Sequence, residues 1–313
     1  CGKIAYYHAQ VFKSLNINIA AVASRENSSN LLPFCEKFSI DNRYTNWETM
    51  VEKESLDALW VMIGWDQMDS LLIPLIKTKI PLFLEKPIAL SSKRIHEAID
   101  IQVRTNQYIQ VGYNRRFYPF VEKIKSIISN GELRSVLVEI PESIDLNNKK
   151  LVSKLWLVNS SHVIDLLSYF VGPSTLKYKK HKSLSGNTYP SSFNAILETD
   201  NGIPVHLIAE WNSSNNFGIT FFVDNKRIVL KPLETASFYE GYDLLGPTKD
   251  RPIRQYNPKL IDLYDCDYKF KPGFYEQVKY FFDNYKLPDG ASKHADLNQC
   301  LLTTSSIEKI LER

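Results

Sequence analysis

Residues 81–90 read PLFLEKPIAL. A short apolar run of strand character, 81–84, leads straight into Glu85-Lys86-Pro87, and a helix-like stretch follows at 91–105. Working outward, the same alternation recurs. Apolar runs of strand length lie at 18–23 (NIAAVA), 57–63 (DALWVMI) and 108–112 (YIQVG), with helix-like stretches at 3–14, 28–38, 46–53 and 67–78. Short apolar strands separated by helical patterns predict repeated βαβ units and a parallel sheet buried on both faces. A lysine at the carboxyl end of such a strand points into the crevice where doubly wound sheets bind ligands. Pro87 stiffens the turn and restricts Lys86 to extended geometry. An ammonium in such a crevice can have its pKa lowered towards neutrality, as acid–base work requires. The competing reading is an ordinary solvated turn lysine.

Beyond residue 115 the pattern changes. Strand-like segments lie at 134–140, 176–182, 192–199, 204–211, 218–223 and 226–231. Several are joined by short turns such as Asp200-Asn201-Gly202 and Asp224-Asn225, whose residues tolerate the positive φ of tight hairpins. This predicts an open, mainly antiparallel sheet, with helices at 160–170, 272–285 and 294–311. The stretch 232–270 shows no clear period. The expected organisation is an α/β dinucleotide-binding domain over 1–115 and an α+β domain over 116–313. A chain of 313 residues fits two domains.

Composition excludes several classes. Apolar residues make up 44% and charged residues 23%, as in globular proteins, and the net charge is only +3. No basic block marks a nucleic-acid footprint, and no apolar run approaches the ~20 residues of a membrane span. The cysteines, Cys1, Cys35, Cys266 and Cys300, lack metal-ligand spacing. They read as thiols in a reducing cytoplasm, with no metal site.

The chain opens Cys1-Gly2-Lys3-Ile4-Ala5-Tyr6-Tyr7-His8. Gly2 and Ala5 fit the second and third positions of the G-x-G-x-x-G/A turn that brings a pyrophosphate to a helix N-terminus. The first strand and first glycine are then expected upstream of Cys1. Gly2, Lys3 and Ile4 are the expected cofactor-binding residues of this turn. The next strand ends Ala23-Ser24-Arg25-Glu26, with Arg25 lying 23 positions after Gly2. An Arg there accommodates a 2′-phosphate, which favours NADP(H) with Ser24 and Arg25 as contacts. Glu26 keeps NAD(H) open.

Together these motifs resemble the glucose–fructose oxidoreductase/inositol dehydrogenase family, of which Glu-Lys-Pro after a sheet strand is the hallmark. The resemblance extends to Gly2-x-x-Ala5-x-x-His8, Gly112-Tyr113-Asn114-Arg115-Arg116-Phe117, Ser161-His162-Val163-Ile164-Asp165-Leu166, and Phe274 with Glu276-Gln277-Val278. It implies an NAD(P)-dependent oxidoreductase acting on a hydroxyl or ketone of a sugar, cyclitol or nucleotide-linked sugar. Lys86 and His162 would be catalytic. Glu85, Lys86, Asn114 and Arg116 would join the cofactor residues, and Lys86, Tyr113, Asn159, His162 and Asp165 would meet the substrate. Arg116 has a second reading, as a tie between the two domains. The resemblance further implies that the last helix packs back on the first domain and that copies associate as a homodimer or homotetramer through the second-domain sheet.

One departure stands out. The family carries an Asp four residues before the histidine, where this chain has Val158. That leaves open a member that binds a nucleotide or protein partner without turnover. A further alternative is an NAD-dependent glycoside-cleaving enzyme.

Overall fold

A computed structural model describes residues 1–145, 148–152, 154–183, 190–287 and 293–312. Its contacts divide the chain into two compact units. The first joins Cys1–Phe117 to Asp267–Leu301, and the second joins Tyr118–Cys266 to the chain from Leu302 onward.

The first unit alternates helix and strand: α1 (Lys3–Ser14), β1 (Ala21–Ala23), α2 (Leu31–Phe38), β2 (Asn42–Tyr44), α3 (Trp47–Lys53), β3 (Leu59–Val61), α4 (Trp65–Lys77), β4 (Leu82–Leu84), α5 (Ser92–Thr105) and β5 (Ile109–Val111). Its strands pair in parallel in two groups, β1 with β2, and β3 with β4 and β5. All three residues of β4 are fully buried, as a parallel strand covered on both faces requires. The sequence reading passed over β2, because its Asn-Arg-Tyr carries no apolar signal. It is an edge strand with two of its three residues exposed. Helix α1 buries Ala5, His8, Ala9 and Phe12, the i, i+3, i+4, i+7 stripe of an amphipathic helix. Helix α9 (Phe274–Asn284) answers with Phe274, Gln277, Val278 and Phe281 at the same spacing. The two helices meet in a cluster of Val11, Phe12, Phe274 and Val278.

The second unit contains α6 (Val121–Asn130), β6 (Leu133–Glu139), α7 (Lys149–Val152), a π-helical turn (Trp156–Ser160), α8 (Ser161–Val171) and β7 (Ser174–Lys182). Strands β8 (Ser192–Thr199), β9 (Pro204–Glu210), β10 (Gly218–Val223), β11 (Lys226–Leu230), β12 (Thr235–Leu245) and β13 (Gln255–Asp265) follow. They form an eight-stranded sheet of order β13-β12-β11-β10-β6-β9-β8-β7, antiparallel except for the β6–β9 pair. Alternate residues, such as Phe193, Ala195 and Leu197, or Ile219, Phe221 and Val223, point to the buried face. There Phe170 of α8 meets Phe221 with ring centroids 5.0 Å apart.

The long hairpin β12–β13 fills the stretch in which the sequence shows no period. The outer half of β12 and the whole of β13 explain the silence. Tyr242, Leu244 and Leu245 on one strand and Leu260, Ile261 and Leu263 on the other are all exposed. Without one buried face there is no alternation to read. The final helix, α10 (Leu297–Leu311), follows a bridge between Val111 and Ala295. Among the described residues no helix is long and apolar enough to cross a membrane.

Candidate functional site

In the first unit the site is built around the carboxyl end of β4. Glu85 and Lys86 leave that strand half-buried, and the Lys86–Pro87 peptide is cis. Glu85 is held from two sides. His8 of α1, fully buried, donates from Nε2 to Glu85 Oε1 at 3.1 Å. The imidazole is itself packed among rings, stacked on Phe274 at 4.5 Å and edge-on to Phe83 at 5.1 Å. On the other side lies Gly112, just past β5. A Cβ added there would sit 3.0 Å from the Glu85 carboxylate carbon and from both its oxygens. Glycine at 112 is therefore the residue that leaves room for the carboxylate. The Gly-x-x-Ala-x-x-His motif thus has a physical role: its histidine fixes the glutamate that precedes the candidate catalytic lysine.

The turn after Lys86 is braced as well. Asp69 of α4 accepts the Leu90 N–H at 2.8 Å through Oδ1, and its own carbonyl accepts Arg94 Nε at 3.1 Å. Ser91 caps α5 through the Arg94 amide. The segment from Glu85 to Ser91 is therefore pinned at both ends by groups other than the Lys86 side chain.

The start of α1 has the character a dinucleotide phosphate needs. Gly2 is extended (φ −82°, ψ −178°), exposed, and makes no side-chain cap, so the first helical amides are open. Nothing lies within 4 Å of where a Gly2 Cβ would stand. These amides carry the positive end of the helix dipole. His8 lies six residues into the chain from Gly2, about 9 Å along the helix at ~1.5 Å per residue. Its bond to Glu85 therefore sets the open helix end close to the carboxyl end of β4. Ser24 and exposed Arg25 follow β1 directly, and Ser24 N donates to Tyr44 O. Open backbone amides at the start of α1 and a hydroxyl and a cation after β1 fit a dinucleotide.

Other expected residues have different surroundings. Asn114 is buried and its Nδ2 donates to Pro272 O at 2.8 Å. Arg116 is 1% exposed, and its guanidinium donates to His294 O at 3.3 Å and to Gln299 Oε1 at 3.2 Å. Both therefore tie the turn after β5 to the returning segment 267–301 within the first unit, rather than tying one domain to the other. Tyr113 is buried beside them.

The second unit holds His162, Asn159 and Asp165. His162 is the second residue of α8 and half-buried; Asp165, one turn on, is 1% exposed. Ahead of α8, Trp156–Ser160 form a π-helical turn, a geometry often found at functional sites. Sequence spacing alone does not reveal it, and it changes the register between Val158 and His162 from that of a plain α-helix. Asn159 is engaged by a residue that sequence reasoning missed. Glu142, buried after β6, accepts Asn159 Nδ2 at 2.9 Å on Oε2 and Ser160 Oγ at 2.5 Å on Oε1. Its carbonyl also accepts the Asn212 N–H. The available signal was Pro141-Glu142 at the carboxyl end of a strand.

A model of the oxidoreductase family with an NAD-binding Rossmann fold matches residues 1–113. The inositol 2-dehydrogenase of Corynebacterium glutamicum is 22% identical over 182 residues, 56% of this chain and 53% of its own length. The chain thus spans about half the length of that curated relative. Among solved structures, the UDP-N-acetylglucosamine 3-dehydrogenase GnnA of Acidithiobacillus ferrooxidans superposes with a TM-score of 0.75. It shares 13% identity, over 99% of this chain and 94% of that one. The 3-ketoreductase KijD10 of Actinomadura kijaniata, in complex with NADP and TDP-benzene, gives 0.74 at 12% identity, over 98% and 94% of the two chains. Over residues 1–113 the chain thus matches the oxidoreductase family that its Glu-Lys-Pro and glycine-turn motifs resemble.

Proposed function

We propose that the protein is an NAD(P)(H)-dependent oxidoreductase that interconverts a secondary hydroxyl and a ketone on a sugar, cyclitol or nucleotide-linked sugar. The observation that carries this reading is the fixed Glu85-Lys86-Pro87 turn at the end of β4, locked by His8 from the helix that offers its open N-terminus. Gly2, Lys3 and Ile4 would receive the pyrophosphate on backbone amides, and Ser24 and Arg25 the adenosine ribose. When bound, the nicotinamide gives or takes the hydride. Lys86 handles the proton: its neutral amine takes the hydroxyl proton during oxidation, and its ammonium returns one to the alkoxide during reduction. His162 assists this transfer in the same reading. The relatives above include enzymes whose names specify inositol and UDP-N-acetylglucosamine, which supports a polyhydroxylated substrate.

Arg25 favours NADP(H). It lies exposed after β1, next to Ser24, and a guanidinium suits a phosphate dianion by paired hydrogen bonds. The test is fluorescence titration of NADPH and NADH, followed by turnover across a panel of ketosugars, inososes and nucleotide ketosugars. NADPH is expected to bind at least about tenfold more tightly than NADH, and Arg25→Ser to remove most of that preference, in keeping with a charge-assisted pair of ~1.5–3 kcal/mol. Binding of neither dinucleotide refutes the reading. Binding without turnover on any panel member favours the alternative of a nucleotide-binding member that does no chemistry.

The second unit's sheet supports an assembly. Its outward residues include Tyr178 (53% exposed), Ile196 (37%) and Ile208 (39%) on neighbouring strands, an apolar set that a second copy would cover. We expect a homodimer or homotetramer by light scattering at micromolar concentration. Ile196→Lys with Ile208→Lys should shift it to monomer, and a monomeric wild type contradicts the assembly.

A further inference from the structure

Lys271 lies in the returning segment, ahead of α9, and belongs to no motif in the sequence. Its position is fixed by backbone. Asn114 donates to Pro272 O at 2.8 Å, Phe274 N donates to Lys271 O at 3.0 Å, and Gly273 takes φ +76° to turn the chain into the helix. The ammonium lies 4.8 Å from the centre of the Phe274 ring and 5.5 Å from that of Tyr7. Phe274 is the ring stacked on His8, which holds Glu85. Lys271 is thus placed beside the first two turns of α1. It is half-buried, and burial together with the neighbouring charges of Arg115 and Lys3 pushes its pKa down, with Glu85 opposing. Its ammonium thus has the carboxylate of Glu85, which His8 engages, as an attracting charge and Arg115 and Lys3 as repelling ones.

Resting on the dinucleotide reading above, we infer that Lys271 is a further cofactor-binding residue, whose ammonium neutralises the pyrophosphate at the start of α1. The geometry is that of an anion site completed from a distant part of the chain: open helix amides and Lys3 from one segment, Arg115 from a second, Lys271 from a third. Like charges held together cost stability in the empty protein, and a bound dianion relieves that repulsion. A residue with only a structural task would do the opposite, stabilising the empty fold.

The test uses the full chain and three probes: ADP-ribose, which carries the pyrophosphate, adenosine, which carries no phosphate, and NADPH. Lys271→Met keeps the hydrocarbon stem over Phe274 and removes the charge. It should weaken ADP-ribose and NADPH on the order of tenfold to a hundredfold, the range for loss of a charge-assisted contact. It should also flatten the salt dependence of binding and leave adenosine affinity unchanged. The melting temperature of the empty protein should hold or rise. Lys271→Arg should recover most of the affinity, and Lys271→Gln provides a second neutral variant if Met fails to fold. Unchanged ADP-ribose affinity in either neutral variant overturns the inference, as does an equal loss for adenosine. If the wild-type protein binds no dinucleotide, the functional reading itself fails, an outcome distinct from both.

Discussion

Lys86→Ala is expected to lower turnover by about 10²–10⁴-fold, the usual contribution of a positioned acid–base group, while NADPH still binds. In barrier terms this is roughly 2.7–5.4 kcal/mol. The structure makes the experiment clean. The turn carrying Lys86 is held by His8 on Glu85 and by Asp69 on the Leu90 amide, so an alanine at 86 leaves its scaffold in place. Lys86→Arg separates charge from proton transfer. A guanidinium keeps the positive charge but does not give up its proton near neutrality. It should therefore stay as inactive as alanine in the oxidative direction if Lys86 acts as the base. Comparable activity in Lys86→Ala removes Lys86 from the chemistry, whereas recovery in Lys86→Arg reduces its role to electrostatics. Both results are read as kcat at saturating cofactor, alongside a binding titration that should barely move.

How far the sequence was legible depends on what each residue faces. The parallel sheet was legible because β4 and β5 are buried on both faces, which leaves unbroken apolar runs. Helix α8 and strands β8 to β11 were legible because one face of each meets a core, which imposes a period. The same logic explains the silences. Strand β2 is a polar edge, and the outer half of β12 and the whole of β13 have no buried face, so none of them writes a pattern into the chain. At the site, motif residues could be found by spacing, but their partners could not. Lys271 is brought to α1 by a return of the chain more than 260 residues later, and no local rule relates the two. The π-turn at Trp156–Ser160 is a subtler loss. Counting 100° per residue from His162 back to Val158 presumes an unbroken α-helix. The extra residue in the turn spoils the count, so the missing family carboxylate cannot be judged from position 158 alone.

Glu142 gives the second large effect. Its carboxylate is 3% exposed and accepts Asn159 and Ser160 from the π-turn that leads into α8. Such a buried group is costly to break from one side. Glu142→Ala removes the acceptor and leaves the Asn159 and Ser160 donors without it, at ~1–3 kcal/mol each, in addition to a cavity. A loss of about 2–5 kcal/mol in stability is expected, seen as a fall in melting temperature. Glu142→Gln tests what the charge adds. Its amide oxygen can still accept from Asn159, and its NH₂ can donate to Ser160 Oγ, so the shape of the turn survives with much of the stability. If Glu142 matters to His162 only by holding the turn, Gln should restore turnover along with the melting temperature. If the negative charge also acts on the imidazole two residues past Ser160, Gln should restore the melting temperature alone. The acidic limb of the pH–rate profile should then move to lower pH, since loss of a nearby anion makes imidazolium harder to form. A stable, active Glu142→Ala would sink both versions, showing that α8 keeps its start without the carboxylate.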